Sequence, residues 1–223
     1  MSDPLEGRAE GHGPANAAGA PMADVEVVAA APMADVEVVA AAAAHAAGLT
    51  ALFEEDGSPC YCRFWHFSGD NNAWLDRCAN ARQQNRDELV AALGAGSDEA
   101  RGVVALGGAE RGVVGWLKVA PVAIMSKVYA RRLYRRLPCF DGPRDGVFVI
   151  GCALVAPSWR HRGVTTAMVG AAVRLAPSWG ARALEAFPRR PREPVADGEM
   201  WTGPASAFTA HGFVEVNAFD PTP

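Results

Sequence analysis

The chain has 223 residues, of which 50% are hydrophobic, and its 25 acidic and 21 basic side chains give a formal charge of −4. No run of about 18 apolar residues is free of charges, and no basic segment precedes an apolar one at the N-terminus. We therefore predict a cytoplasmic protein that does not contact a membrane. The five cysteines are odd in number and irregularly spaced, which argues against a disulfide framework and against a structural zinc site.

Charge and aromatic residues are unevenly distributed. Residues 1–59 carry ten acidic side chains and one basic side chain, a formal charge of −9, whereas residues 60–223 carry 20 basic and 15 acidic side chains, or +5. All six Trp and all three Tyr lie in the second part. The segment APMADVEVVAA at 20–30 recurs unchanged at 31–41. Two copies are too few for a solenoid, and a leader with so few aromatic residues buries little surface. We predict a disordered acidic and alanine-rich leader over 1–55 and one folded domain over 56–223.

The first half of this domain shows alternating strand and helix signals. The aromatic run CYCRFWHF at 60–67 is typical of a first strand, and the apolar residues of 71–93 suit one or two amphipathic helices. The β-rich runs 103–106 and 113–119 are joined by a glycine-containing connection, which predicts a hairpin. Residues 121–146 contain a short helix with one charged face, which we interpret as solvated surface. Its basic residues are Lys127, Arg131, Arg132, Arg135 and Arg136.

The second half carries the strongest periodic signal. The apolar run 147–155 predicts a buried strand, 163–176 has helical spacing, and 181–187 predicts a further strand. A strand, a crossover helix and a strand within about 40 residues form a βαβ unit, so these two strands are predicted to be parallel. A short helix over 204–211 and a last strand over 213–219 complete an α/β domain with a mixed sheet.

A cationic loop enters the predicted helix at Gly163. The N-terminus of a helix exposes unpaired N–H groups and the positive end of the helix dipole, which favours a diphosphate. Glycine lets a backbone approach a phosphate oxygen, and the hydroxyls of Thr165 and Thr166 can donate hydrogen bonds. Arg160 and Arg162 add charge-assisted bonds. On spacing alone, the alternative is a plain strand-to-helix connection with surface arginines.

This loop resembles motif A of the GNAT N-acetyltransferase superfamily, R/Q-x-x-G-x-G/A. Arg160 takes the first position and Gly163 the first glycine, while Thr165 stands where the second glycine is usual. The segment 201–216, with its Gly-Phe pair, is similar to the C-terminal helix, turn and strand of the same superfamily. Further landmarks at 60–65, 85–86 and 114–116 extend the resemblance over about residues 60–219 and point to a bacterial subgroup of undefined substrate.

The resemblance implies a GNAT-like mixed, mostly antiparallel central sheet with a splayed parallel strand pair and helices on both faces. It also implies direct transfer of an acetyl group from acetyl-CoA, as co-substrate, to an amine of a small molecule or protein, by a chain that can form a homodimer. Backbone groups of Leu154 and Val155 are expected to pair with the pantetheine arm, and the motif A loop is expected to hold the pyrophosphate. The expected loop residues are Arg160, His161, Arg162, Gly163, Val164, Thr165 and Thr166.

The catalytic residues are less defined than the coenzyme loop. Transfer needs a base for the amine and an acid for the departing thiolate. Glu185, on the strand after the motif A helix, is our candidate base, and a solvent-facing or ion-paired Glu is the alternative. His161 and His211 are further candidates, the latter also suited to a helix C-terminus. The tyrosine usual four residues before the glycine of the Gly-Phe pair is replaced by Phe208, which together with Trp201 is a candidate apolar wall.

Two other functions remain open at this stage. A catalytically weak acyl-CoA binding or sensing module would keep the fold, and the departures at Thr165 and Phe208 favour it. A nucleic-acid binder that uses the basic cluster of 121–146 is disfavoured by the acidic leader and by the lack of aromatic residues interleaved with the cations.

Overall fold

The computed structural model of the chain describes residues 35–132, 134–135 and 137–218, and it contains a five-stranded mixed sheet. The strands follow the order β1-β2-β3-β4-β5, with antiparallel neighbours except for the parallel pair β4 and β5. The predicted mixed, mostly antiparallel sheet is confirmed. The strands are β1 (Val36–Ala40), β2 (Gly102–Gly107), β3 (Gly112–Pro121), β4 (Val147–Val155) and β5 (Ala183–Ala186).

Two adjacent residues of β3 show that the two faces of the sheet pack against different parts of the chain, helix α5 (Val164–Leu175) on one face and the segment 60–67 on the other. A Cβ at Gly115 would lie 3.0 Å from the Sδ of Met168 in α5, so that face packs against α5. Side chains alternate along a strand, and Trp116 accordingly points the other way, where its indole donates to Cys62 at 3.1 Å. Within the described residues, no helix is long and apolar enough to cross a membrane. The helices are α1 (Ala46–Glu55), α2 (Asn71–Asn80), α3 (Arg82–Gly94), α4 (Ser126–Tyr129), α5 (Val164–Leu175) and α6 (Ala205–Thr209).

The prediction of a disordered leader over 1–55 is wrong for its last part, where the chain forms β1 and α1. Strand β1 pairs with β2 at the edge of the sheet, and it comes from the second copy of the duplicated segment. Helix α1 buries Leu49, Leu52 and Phe53, whose spacing places them on one helical face. The alanine-rich composition concealed this short apolar stripe. The first copy of the repeat, at 20–30, lies outside the described residues.

Two predicted strands are wrong. The aromatic run 60–67 forms turns and a 3₁₀ helix at Phe64–His66, with positive φ angles at Tyr61 (43°) and Cys62 (55°). Its large side chains serve as buried anchors, since Tyr61, Cys62 and Trp65 are all at most 5% exposed. Residues 213–218 form no strand, and Val214 is 83% exposed there.

The helix in 121–146 is shorter than the span of its basic residues, 127–136, predicts. Among the described residues of this segment, only Ser126–Tyr129 is α-helical, and Pro138 begins a 3₁₀ turn further on. The ammonium of Lys127 lies 4.8 Å from the ring centroid of Phe64, and Arg131 lies 5.8 Å from that of Trp65. Part of this cluster therefore packs on aromatic rings of the 60–67 segment and does not lie free in solvent.

A β-bulge separates the two halves of β4. Leu117 pairs with Ala153 and Val119 with Ile150, so Lys118 alone stands opposite two residues of β4, Gly151 and Cys152. Lys118 is completely buried, and its ammonium donates to the backbone oxygen of Glu99 at 2.6 Å. Burial lowers the pKa of Lys118 to about 8. A bulge bends its strand, and β4 indeed continues beyond its pairing with β5, which ends at Ile150.

The role of α1 in the core gives a direct test. Leu52 is 1% exposed, so Leu52→Ala is expected to lower the free energy of unfolding by about 2–5 kcal/mol. Urea denaturation followed by tryptophan fluorescence measures this change. Glu55→Ala, at an exposed position of the same helix, is the control and should change stability by less than about 0.5 kcal/mol. Equal stability of both variants would mean that α1 lies outside the folded core.

Candidate functional site

The parallel strands β4 and β5 part at the bulge and leave an edge of β4 unpaired by β5. The amide of Ala153 faces this edge, where it donates to the carbonyl oxygen of Trp201 at 2.7 Å. Successive residues of a strand point their backbone groups to opposite sides, so Leu154 faces β3, opposite Trp116. Val155 faces the edge again, and its carbonyl oxygen accepts from Nε of Arg160 at 3.1 Å. Of the two predicted backbone partners, Val155 therefore lies at the open edge and Leu154 within the sheet.

The N-terminus of α5 is open for an anion. Gly163 precedes the helix with φ of 78°, and no side chain caps it. The first intrahelical hydrogen bond is donated by Ala167 to the oxygen of Gly163, so the three preceding amides have no partner within the helix. A Cβ built on Gly163 would find no heavy atom within 4 Å. The backbone here can thus be approached closely by a phosphate oxygen, and this part of the site fits a diphosphate.

The cations of the loop have different partners. Besides Val155, Arg160 contacts two carboxylates, in ion pairs with Asp56 and, at 3.4 Å, with Asp197. Burial raises the pKa of Asp56, and the charge of Arg160 opposes that rise. Nε2 of His161, an 82% exposed side chain, lies 3.2 Å from Asp197. Arg160 therefore fixes the loop to its surroundings, and Asp197 places a negative charge beside it.

Three further loop residues differ in what they can offer a ligand. The guanidinium of Arg162 is exposed and lies 5.8 Å from the ring centroid of Trp159. Val164 is 2% exposed and packs in the core, so only its backbone amide is available. The methyl group of Thr165 lies 3.4 Å from the Cβ position of Gly203, which directs this side chain toward the 203–208 segment. Thr165 therefore contributes mainly through its backbone, as does its half-buried neighbour Thr166.

A cavity of about 740 Å³ adjoins the gap between β4 and β5. It is lined by Ile150 and Gly151 from β4 and by Ala186 and Phe187 from the end of β5 and beyond. Trp201 also lines it, in agreement with its prediction as an apolar wall. A space of this size beside an open strand edge can hold a small molecule.

The candidate base Glu185 is already engaged by two donors. Its carboxylate oxygen Oε2 accepts from the hydroxyl of Tyr129 and from Nη2 of Arg144, each at 2.6 Å. Burial raises the pKa of Tyr129, and the hydrogen bond to Glu185 raises it further. Sequence analysis missed both partners, because they lie 56 and 41 residues away from Glu185 and no spacing pattern marks them.

Phe208, at the usual tyrosine position, and the candidate base His211 both pack against other side chains. Phe208 is 1% exposed and meets Phe213 edge to face, with ring centroids 5.3 Å apart. His211 packs against α5, where its Nε2 would lie 2.8 Å from a Cβ at Gly170, and it does not line the cavity. Phe208 lines the cavity, as predicted for an apolar wall, but has no proton to exchange, and His211 is not placed to exchange one with a molecule in the cavity.

A buried polar cluster lies behind the bulge. The indole of Trp65 donates to the sulfur of Cys152 at 3.1 Å, and a hydrogen bond with Cys152, together with burial, raises the pKa of the Cys62 thiol. Burial and the charge of Lys118 lower the pKa of His66 to about 4. These groups hold the bulged part of β4 against the segment 60–67. The sequence signal for them was the Cys-x-Cys pair, which we interpreted as strand residues.

Comparison with known proteins yields structural matches only. No family model matches the chain, and no curated protein matches it. The structure of AAC(6')-Iy in complex with the bisubstrate analogue CoA-S-monomethyl-acetylneamine is 14% identical, with a TM-score of 0.44, over 85% of this chain and 98% of that one. A crystal structure assigned to a phosphinothricin N-acetyltransferase is 14% identical, with a TM-score of 0.37, over 67% of this chain and 71% of that one. At such scores neither likeness indicates a substrate or a reaction for this chain.

The contacts of Glu185 predict a structural role that is measurable without any substrate. Glu185→Gln removes the charge that holds Tyr129 and Arg144, and we expect the free energy of unfolding to fall by about 1–3 kcal/mol. Glu110→Gln, in the exposed connection between β2 and β3, is the matched control and should be neutral. Chemical denaturation compares the two. If both variants are as stable as the native chain, Glu185 does not anchor the 121–146 segment.

Proposed function

We propose that the chain binds acetyl-CoA and transfers the acetyl group to an amine. The observation that carries this proposal is the continuity of two features. The open edge of β4 at Val155 leads through the cationic loop directly to the uncapped N-terminus of α5 at Gly163. An extended arm that ends in a diphosphate matches such a strand edge followed by such a helix N-terminus. The resemblance to motif A supports the same assignment.

Each part of the loop has a separate task in this proposal. Val155 offers its backbone amide to the pantetheine arm, since its carbonyl oxygen accepts from Arg160, and the amides of Arg162 to Thr166 bind the pyrophosphate. Arg160 positions the loop through Val155 and two carboxylates, while the exposed charge of Arg162 attracts the ligand and the exposed His161 lies beside Asp197. Acetyl-CoA itself supplies an activated acyl group. The adjoining cavity would then position the acceptor amine beside the end of β4.

Glu185 stays a candidate for the general base. Its carboxylate is paired with Arg144 and accepts a hydrogen bond from Tyr129, and neither Glu185 nor Tyr129 is among the residues that line the cavity. A proton from an amine in the cavity would therefore need an intervening group to reach Glu185. Much of the rate enhancement in this proposal comes from positioning, because the amine is held beside the acyl group in a shielded cavity.

A second candidate function is an acyl-CoA binding or sensing module without efficient transfer. The observation that favours it is Phe208, a buried side chain with no hydroxyl at the place where the resemblance leads one to expect a tyrosine. The two functions share the coenzyme site and differ in turnover. Thiol release from acetyl-CoA, measured with a panel of amines, separates them, since only the transferase releases coenzyme A in proportion to acceptor.

The cytoplasmic location and a homodimer also remain predictions.

The coenzyme site is tested by a matched pair of substitutions at Gly163. Asp and Asn have the same shape and both tolerate positive φ, so Gly163→Asp and Gly163→Asn differ only in charge. We expect calorimetric titration with acetyl-CoA to show at least about tenfold weaker binding for the Asp variant than for the Asn variant, because a carboxylate would face the diphosphate. Equal affinities of the two variants would show that the diphosphate binds elsewhere. No binding to the native chain at millimolar acetyl-CoA would refute both candidate functions.

Removing the charge of Asp197 is a second test, in which acetyl-CoA binding is expected to become stronger. Its carboxylate faces Arg160 and His161, so Asp197→Asn should strengthen acetyl-CoA binding by about two- to tenfold at low salt. The gain should shrink at higher salt, because Asp197 is partly exposed and its field is screened. Asp87→Asn changes net charge equally at an exposed position of α3 and serves as control. Weaker binding of the Asp197 variant would mean that the carboxylate orders the loop for the ligand.

A further inference from the structure

The cavity beside β4 and β5 has aromatic walls from four separate parts of the chain. The rings of Trp65 and Trp201 lie 6.0 Å apart, and those of Tyr134 and Phe187 lie 4.7 Å apart, tilted by 33°. All four residues line the cavity. An occupant with an apolar or flat body would therefore contact ring surfaces on more than one side.

The charge of the same cavity is predominantly positive. Four arginines line it, and the acidic residue among its lining residues is Glu215. Glu215 is ion-paired with Arg190 at 3.1 Å, and Arg189 is ion-paired with Glu199 at 3.5 Å. A positive cavity attracts anionic groups and repels polyamines, whose several cations would meet these arginines.

Arg131 differs from these paired arginines. Its guanidinium lies 5.8 Å from the ring centroid of Trp65 and 5.9 Å from that of Trp201, so both indoles hold it at the cavity wall. Among the ion pairs of the described residues, none joins Arg131 to a carboxylate. A planar guanidinium held by stacking, with its charge uncompensated, is well suited to bind a carboxylate through two hydrogen bonds.

A buried hydroxyl group in the cavity wall also indicates that a polar ligand binds there. Oγ1 of Thr202, the residue after Trp201, is buried and makes no hydrogen bond within the described residues. Buried hydroxyls usually have a partner, so this group is available to one that a bound molecule supplies.

We propose that the acceptor is an amine that also carries a carboxylate, as an amino acid does, with its carboxylate on Arg131 and its apolar body between Trp65 and Trp201. This inference rests on the proposed function for the reaction, although the binding of the acid does not depend on it. The free amine then points away from the arginines, toward the gap between β4 and β5. The carboxylate anchor excludes simple alkylamines and polyamines as preferred acceptors.

The test uses the full chain and pairs of ligands that differ only in the carboxylate. Aromatic and aliphatic amino acids are compared with their C-terminal amides, for example phenylalanine with phenylalaninamide. Binding is followed by the fluorescence of the cavity tryptophans and by calorimetry, each with and without acetyl-CoA. We expect at least one acid to bind about tenfold or more tightly than its amide, as a charge-assisted hydrogen bond predicts.

Substitutions at Arg131 test whether this residue binds the ligand carboxylate. Arg131→Gln should remove the preference for the acid and leave amide binding nearly unchanged, while Arg131→Lys should restore part of it. Arg132→Gln is the control, because this neighbouring exposed arginine does not line the cavity. Thermal melting of the variants checks that each remains folded.

The outcomes separate this proposal from the transferase assignment. Amides that bind as tightly as the acids, an Arg131→Gln variant that weakens both equally, or no binding of any member of the panel would overturn the carboxylate anchor. Acid binding that depends on Arg131 without any binding of acetyl-CoA would support the anchor and refute the transferase.

Discussion

The buried ammonium of Lys118, opposite the bulge of β4, is the constraint on which the site depends. A charged group at full burial is costly, and here it is held by one short hydrogen bond to the backbone oxygen of Glu99 and by the nearby thiols of Cys62 and Cys152. Lys118 stands opposite two residues of β4, so the strand bends there and leaves β5. The open edge at Val155 and the cavity at Gly151 are both consequences of that bend.

The loop that follows the bend is held from outside the sheet. Arg160 reaches back to the carbonyl oxygen of Val155 and across to Asp56, the residue that directly follows α1. Helix α1, whose residues were assigned from composition to a leader, therefore places Asp56 beside the candidate diphosphate site. Asp197 completes this arrangement from the opposite side and brings a negative charge to the place where an anion would bind. The loop is thus preorganised at its base, while the exposed tip at Arg162 and Gly163 stays open.

Sequence reasoning succeeded where one periodic pattern dominated. The strand over 147–155 was predicted at its observed bounds, and the helix predicted over 163–176 is observed over Val164–Leu175, because a buried apolar run and helical spacing are both strong local signals. It failed at α1, whose three buried residues are dispersed among alanines, and at 60–67, where aromatic side chains that suggest a strand instead anchor turns.

The partners within the candidate site could not be predicted for a different reason. The ion pair between Glu185 and Arg144 and the stacking of Arg131 on Trp65 and Trp201 join residues far apart in the chain. Such contacts are set by the bend of β4 and by the path of the 121–146 segment, and neither leaves a spacing pattern in the sequence. Only the motif A loop could be located, because its residues are contiguous.

Amide hydrogen exchange with and without acetyl-CoA tests the central claim most directly, because it reports where along the chain a ligand binds. The account predicts increased protection at 153–155 and at 162–166, with no change in strand β2 at the far side of the sheet. Protection confined to other segments, or saturating acetyl-CoA with no change at the edge of β4 and the start of α5, would contradict it.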